Sequence, residues 1–411
     1  MLAEIAWNSL LNRKKTVFLT FLSLLVSISV LISVEYIRSQ AKESFNRTIS
    51  GVDLIVGAPS GELNLLLYSV FRMGSPTNNI KYESLEVLNN NENVAWTIPI
   101  SLGDSHRGYR VVGTNQNYFE HFKYGNKRSL SLQQGDSFDG MFETVLGADV
   151  AKRLGYQLGD EIIIAHGIGN TSFQMHDRTP FTIVGVLAPT GTPVDKTVHV
   201  SLEAIEAIHL SPGQLARALS GASPKLLQPK QITSVLLGLN NKFATFGLQR
   251  QLNNYEGDRL MAVLPGVAMA RLWELMANVE NMLRIIGILV LIASLFGLAT
   301  MLLATMNERK AEIAVLRVLG ASPFVIMSLV LIEAIAISLV ALMFSVALVS
   351  LLTVTMEGWL SENYGLFLSS SVIGPELLVI TALIVMATLI AALIPAFEAY
   401  QRALHSQLSS K

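Results

Sequence analysis

The chain has 411 residues, 30 basic and 31 acidic side chains, a formal charge of −1, no cysteine and a mean hydropathy of +0.46. Only 15% of its residues are charged and 51% are hydrophobic, against roughly 25% charged in an ordinary soluble domain. This excludes a disordered chain, a collagen, a disulfide-stapled domain and a basic nucleic-acid binder, and points to membrane spans joined to a soluble part.

Residues 1–16 read as a cytoplasmic amphipathic N-terminus, and residues 17–37 as the first apolar run. A hydrocarbon core of about 30 Å takes about 20 helical residues, which this run supplies. Arg13, Lys14 and Lys15 could open a signal peptide, and Ser39-Gln40-Ala41 superficially resembles its cleavage site. The apolar run exceeds the roughly 7 to 15 residues of a signal core, so a retained anchor is the expectation.

Residues 38–284 have a normal soluble composition and are expected to form a large mixed α+β domain with a helical stalk at both ends. Val52–Val56, Arg110–Val112, Glu161–Ala165, Phe181–Leu187 and Thr197–Val200 read as strands. Asp149–Leu154 reads as a short helix stopped by Gly155, Ser201 as the N-cap of a helix to His209, and Leu63–Phe71 as a further helix. Residues 74–79 and 189–193 carry turn residues and are expected to be loops. At the far end Leu272, Leu275, Met276, Val279, Met282 and Leu283 recur at helical spacing before the second apolar run.

That second run covers 285–306, the third 323–355 and the fourth 376–398. At 1.5 Å per residue the third would reach about 50 Å, so it tilts or protrudes. Arg13, Lys14 and Lys15, then Arg309, Lys310 and Arg317, then Arg402 and Lys411 flank the runs, whereas residues 356–374 contain no Lys or Arg. The positive-inside rule then gives four crossings arranged 1+3. Both termini, the connector 307–322 and the tail 399–411 are cytoplasmic; the large domain and the short loop 356–375 are outside.

The connector is built like a short helix. Glu308 and Glu312 lie towards its start and Arg317 towards its end, as the helix dipole favours. Ile313, Leu316 and Leu319 recur every third residue, Gly320 suits the stop, and Ser322 with Pro323 suits the restart. A plain loop has no need of a charged amphipathic helix with defined ends, so a docking partner is expected here, with Glu308, Arg309, Lys310, Glu312, Ile313, Leu316, Arg317 and Leu319 as the coupling residues.

The run ERKAEIAVLRVLGASP (308–323), on a 1+3 layout with a large domain after the first span, resembles the permeases of the MacB/LolC/FtsX superfamily of ABC transporters. VLGADVAKRLG (145–155), the LGDEI that follows, FTIVGV (181–186) and IPAFEAY (394–400) carry the same resemblance. It implies a mechanotransmitting permease that works as a homodimer or heterodimer. Its cytoplasmic ABC ATPase dimer would press on the connector, and its outer region would be periplasmic. No Gly-x-x-x-x-Gly-Lys-Ser/Thr occurs in the chain, so ATP phosphates cannot be cradled here by a P-loop. No cofactor is expected in this chain, ATP and magnesium belong to the partner ATPase, and the chain is not expected to be an enzyme. Export, efflux or lipoprotein handling in a bacterial inner membrane is the expected role; an FtsX-like scaffold controlling a periplasmic partner, or a metal-linked transport system, are the alternatives. A periplasmic adaptor, a lipoprotein or a substrate-binding protein are further candidate partners besides membrane lipid; nucleic acid is not.

Two sets of polar residues remain. Glu333, ten residues into the third run, costs roughly 2.5 to 3.5 kcal/mol at mid-bilayer and should face protein, either as a packing residue or as a conformational contact. Six of seven histidines fall in the outer domain. His166, His176, Asp177 and His199 are the candidate metal ligands, though no His-x-x-x-His pair is present and scattered surface histidine is the competing reading.

Overall fold

The computed structural model describes residues 13–167, 179–306, 310–364 and 374–405. The chain divides into two compact units, one built on residues 42–276 and the other on the residues to either side.

The unit of residues 42–276 is a mixed α/β domain around an eleven-stranded sheet. Its strands are β1 (Leu54–Gly57), β2 (Val94–His106), β3 (Tyr109–Thr114), β4 (Leu132–Gly135), β5 (Glu143–Leu146), β6 (Glu161–Ile162), β7 (Ala165–His166), β8 (Phe181–Leu187), β9 (Thr197–Ser201), β10 (Ser234–Leu239) and β11 (Met261–Val263). They run in the order β11-β1-β10-β2-β3-β9-β5-β8-β4, with β7 added to β2 and β6 to β8. The β9–β3 and β8–β5 pairs are parallel; the others are antiparallel.

Both faces of the sheet are covered, which is why its central strands read as continuous apolar runs rather than alternating ones. Alternate side chains enter different cores. Ile55 and Leu236 pack with Leu65, Leu66 and Tyr68 of the helix Glu62–Ser69, while Leu54, Val56, Val235 and Leu237 pack on the opposite side with Leu85, Leu88 and Leu248. Val112 and Val145 join the first core, whereas Val111 and Leu146 face a third, with Val150, Phe181, Val198 and Ile208. β2 is thirteen residues long: residues 94–100 pair with β10 and residues 101–106 with β3, the latter pairing being irregular between Leu102 and Ser105.

Local chemistry accounts for the VLGADVAKRLG stretch. Gly147 has the carbonyl oxygens of Val194 and Asp195 2.4 Å from where a Cβ would sit, so only glycine admits that approach. Gly155, at φ +71°, ends the helix Ala148–Leu154 in the left-handed region. Asp195, 1% exposed, accepts from the Thr190 and Gly191 amides at 2.8 Å and so ties down the 189–193 loop.

The second unit contains four helices long and apolar enough to cross a membrane. In chain order, α1 (Lys14–Thr48) precedes α2 (Leu202–His209) of the α/β domain, and α3 (Pro265–Thr305), the short α4 (Lys310–Val318), α5 (Pro323–Tyr364) and α6 (Pro375–His405) follow it. Leu24, Ile28 and Ile32 of α1, Leu291, Leu295, Leu298 and Leu302 of α3, and Val330, Ala334, Ile337 and Ala341 of α5 form one buried core. On α6, Ala392, Ala396, Ala399 and Ala403 are all fully buried; their four- and three-residue spacing makes one seam of small side chains, which lets helix backbones approach closely. The outward faces are apolar: Phe18, Leu289, Phe296, Leu351, Leu378 and Ile390 are all more than half exposed, as a lipid-facing surface requires.

Candidate functional site: a long helix pair and the connector

α1 has 35 residues and α3 has 41, far more than the about 20 that a bilayer requires. They are held to each other by polar contacts at two levels. Within the apolar runs, Ser23 Oγ donates to Ser294 Oγ at 3.2 Å, Ser27 also bonds Ser294, and Ser27 Oγ donates to the Ser23 carbonyl at 2.8 Å. Small hydroxyl residues of this kind combine close approach with an interhelical hydrogen bond. At the ends of these runs that lead in sequence to the α/β domain a charged network takes over. Arg38 Nε donates to Glu280 Oε2 at 2.7 Å, Arg38 also pairs with Glu35, and Arg284 Nη2 reaches Glu35 Oε2 at 3.1 Å. The spacings 35/38 and 280/284 put each pair on one helical face. Sequence reasoning missed this network; its trace was a charged pair on each helix at the edge of its apolar run, Glu35 and Arg38 on α1 and Glu280 and Arg284 on α3.

The other two helices are joined similarly. Ser338 and Thr388 share a 2.9 Å hydrogen bond between α5 and α6, and Ser345 Oγ donates to the Leu25 carbonyl of α1 at 3.0 Å. Glu333 is fully buried on α5, so it faces protein and not lipid, as its insertion cost demands.

Within the unit of residues 42–276, the end of α1 and the start of α3 converge on one aromatic cluster. Phe45 stacks obliquely on Phe71 at 4.7 Å and meets Trp273 edge-on at 5.7 Å. Nearby, Arg271 Nη1 pairs with Glu62 Oε2 at 2.8 Å, and the Ser50 amide donates to the Lys123 carbonyl at 2.9 Å.

α4 occupies the middle of the predicted connector. Gly320 at φ +89° provides the stop, with the amides of Leu319, Gly320 and Ala321 turned back onto the Val315, Arg317 and Leu316 carbonyls. Arg317 Nη1 donates to the Ala321 carbonyl at 2.8 Å and so reinforces that end. Glu312 pairs with Arg13 at 3.6 Å. Ile313 packs against the bundle core, Leu316 is half-buried, and Leu319 is 78% exposed. Lys310 opens the helix, while Glu308 and Arg309 lie outside the described residues. The expected single face of Ile313, Leu316 and Leu319 is therefore divided: at 3.6 residues per turn each three-residue step drifts by about 60°. The apolar surface that α4 and its stop present outward is Val315, Val318 and Leu319, exposed by 59%, 87% and 78%. Val315 and Val318 were not anticipated.

Of the predicted metal ligands, His199 stands in the domain core and not at a ligand cluster. It is fully buried, its Nδ1 lies 3.2 Å from the Val145 carbonyl, and its ring packs on Tyr118 at 5.0 Å. Burial first and Arg72 second hold its pKa down to about 3. His176 and Asp177 lie outside the described residues. His166 meets two residues that sequence spacing did not associate with it, Asp104 and His209.

Residues 17–234 match the model of the MacB-like periplasmic core domain, and residues 284–404 that of the FtsX-like permease C-terminal region. The chain is also similar to the lipoprotein-releasing system transmembrane protein LolC of Neisseria meningitidis serogroup B, at 23% identity over 217 residues. That alignment covers 51% of this chain and 48% of the relative, so the chain matches about half the length of that protein. With one apolar helix before a mixed α/β domain and three after it, and with both family regions in the expected order, the chain belongs to the MacB/LolC/FtsX superfamily of ABC-transporter permeases.

Proposed function

We propose that this permease transmits force from a separate cytoplasmic ABC ATPase dimer, in which ATP and magnesium are bound, to its outer domain. In this reading both termini and α4 are cytoplasmic and the α/β domain is periplasmic, in a bacterial inner membrane. ATP-driven closure of the ATPase pushes on α4; Ile313 passes the push into the bundle core; the Ser and Glu/Arg contacts make α1 and α3 move as one lever. The aromatic cluster of Phe45, Phe71 and Trp273 is where that movement enters the outer domain. A second permease subunit fits the stalk of α3, where Leu275, Met276, Val279, Met282 and Leu283 are 42–64% exposed on one stripe. The name of the LolC relative supports lipoprotein handling as the cargo class, ahead of export of other substrates.

The observation that carries this reading is the exposed apolar trio Val315, Val318 and Leu319 on α4 and its stop, next to Ile313, which packs on the bundle core. The test is affinity purification of the tagged full chain from its native membrane, with ATP hydrolysis in the eluate as readout. Val318→Asp is expected to abolish co-purified ATPase activity, while Leu219→Asp, at an exposed position of the α/β domain, keeps it. Retention of full activity by Val318→Asp would refute the assignment.

A further inference from the structure

His166, His209 and Asp104 come from three separate segments of the outer domain. β7 pairs antiparallel with the end of β2 so that His166 stands directly opposite Asp104, and His209 is the last residue of α2. Nδ1 of His166 lies 2.7 Å from Asp104 Oδ1, and Nδ1 of His209 faces the Ile205 carbonyl oxygen. Both Nδ1 positions thus sit against acceptors, which places the ring protons there. In the neutral rings both Nε2 lone pairs then point at each other, and these atoms are 2.7 Å apart. Facing lone pairs at that distance are relieved by a proton shared between the rings or by a metal ion between them.

We propose that this is a binding site for a borderline divalent cation of the zinc class, with Nε2 of His166 and Nε2 of His209 as protein ligands, Asp104 as orienting carboxylate, and water in the remaining positions. A carboxylate behind a metal-binding imidazole fixes its tautomer and raises its basicity, the usual outer-shell arrangement. Asp104 is only 5% exposed, so its charge is poorly screened and favours a cation in front of His166. The C-terminal end of α2, which His209 terminates, adds the negative end of a helix dipole. Imidazole nitrogens select zinc, copper or nickel over calcium and magnesium, which take oxygen cages.

The fit needs a small adjustment. Tetrahedral zinc at 2.0–2.1 Å from each nitrogen sets the two Nε2 atoms about 3.3 Å apart, so the pair opens by about 0.6 Å. The rings, stacked at 4.4 Å with 30° between their planes, must also turn apart. His166 is half-buried and His209 exposed, so both rings have room to turn. Two protein ligands with water completing the shell make an exchangeable, micromolar site and not a structural one.

The test is zinc binding to the full, tag-free chain in detergent, by equilibrium dialysis with metal analysis and, in parallel, by the visible spectrum of bound cobalt(II). One zinc ion is expected to bind at micromolar concentration, with a tetrahedral cobalt spectrum. His166→Ala and His209→Ala should each weaken that ion at least tenfold and abolish the spectrum; Asp104→Asn should weaken it about tenfold. His121→Ala should leave it unchanged. His209→Gln, which keeps the length and polarity of an exposed helix-end side chain, guards against loss of fold. Zinc affinity unaltered by both His209 substitutions would overturn the proposal and leave the pair sharing only a proton.

Discussion

Acidification should destabilise the α/β domain through His199. The ring is fully buried, with Tyr118 and Phe119 against it and the Val145 carbonyl before Nδ1, and its pKa in the folded chain is about 3. In the unfolded chain a histidine titrates near 6.5. Above that value both states are neutral and pH has no effect through this residue. As pH falls from 6.5 towards 3, the unfolded chain takes up a proton that the native chain refuses, and stability drops by up to about 1.4 kcal/mol per unit. At pH 5 the accumulated loss is about 2 kcal/mol, a large fraction of a domain's net stability. His106, whose pKa burial also lowers, works in the same direction. The measurement is urea unfolding of the full chain in detergent at pH 7.5 and 5.0, followed by tryptophan fluorescence, for wild type and His199→Asn. The asparagine amide offers a donor near the position of Nδ1–H but does not titrate. The variant should be less stable at pH 7.5, having lost the ring's packing, yet lose about 2 kcal/mol less than wild type between the two pH values. Equal pH sensitivity of the two proteins would refute the reasoning.

Gly147→Ala places a methyl group against two backbone carbonyls that cannot yield as a side chain would, and should cost about 1–3 kcal/mol, seen as a lower urea midpoint. Phe45→Ala removes the ring that meets both Phe71 and Trp273. It should destabilise the outer domain by about 2 kcal/mol and, on the lever reading, lower transport more than ATP hydrolysis in the assembled complex. In the charged network, Arg38→Ala and Glu280→Ala should be non-additive, with a coupling of about 1 kcal/mol in a double-mutant cycle of thermal unfolding; full additivity would show that the 2.7 Å contact contributes nothing.

The membrane part was readable because about twenty successive apolar residues match the thickness of a bilayer and exceed what a buried strand or a short core helix needs; all four runs fall on observed helices. Elements of the α/β domain with local signals also emerged: Gly155 ends its helix, Ser201 accepts from the Ala204 amide as an N-cap, and Phe181–Leu187 is a strand over the same residues. The single strand expected over Glu161–Ala165 is two, β6 on β8 and β7 on β2, and β2, β4, β5, β10 and β11 were not foreseen. β2 passes from a two-sided apolar environment to a polar end with Asp104, Ser105 and His106, so no single periodicity spans it; β11 has only three residues. Site residues fared according to how local their signals were. α4 and its glycine stop were evident, but which of its apolar side chains faces outward depends on the bundle beside it. The meeting of Asp104, His166 and His209 depends on a strand pairing between residues far apart in the chain, which spacing alone does not encode.

The length of β2 has a mechanical corollary. A strand whose backbone is hydrogen-bonded to different neighbours along its two halves works like the spine of a book: one half of the sheet cannot slide along it without breaking the ladder of the other. A displacement delivered at one margin is then passed on as tilt of the whole plate and is not absorbed as internal shear; the point where the spine changes partner lies between Ile100 and Ser101.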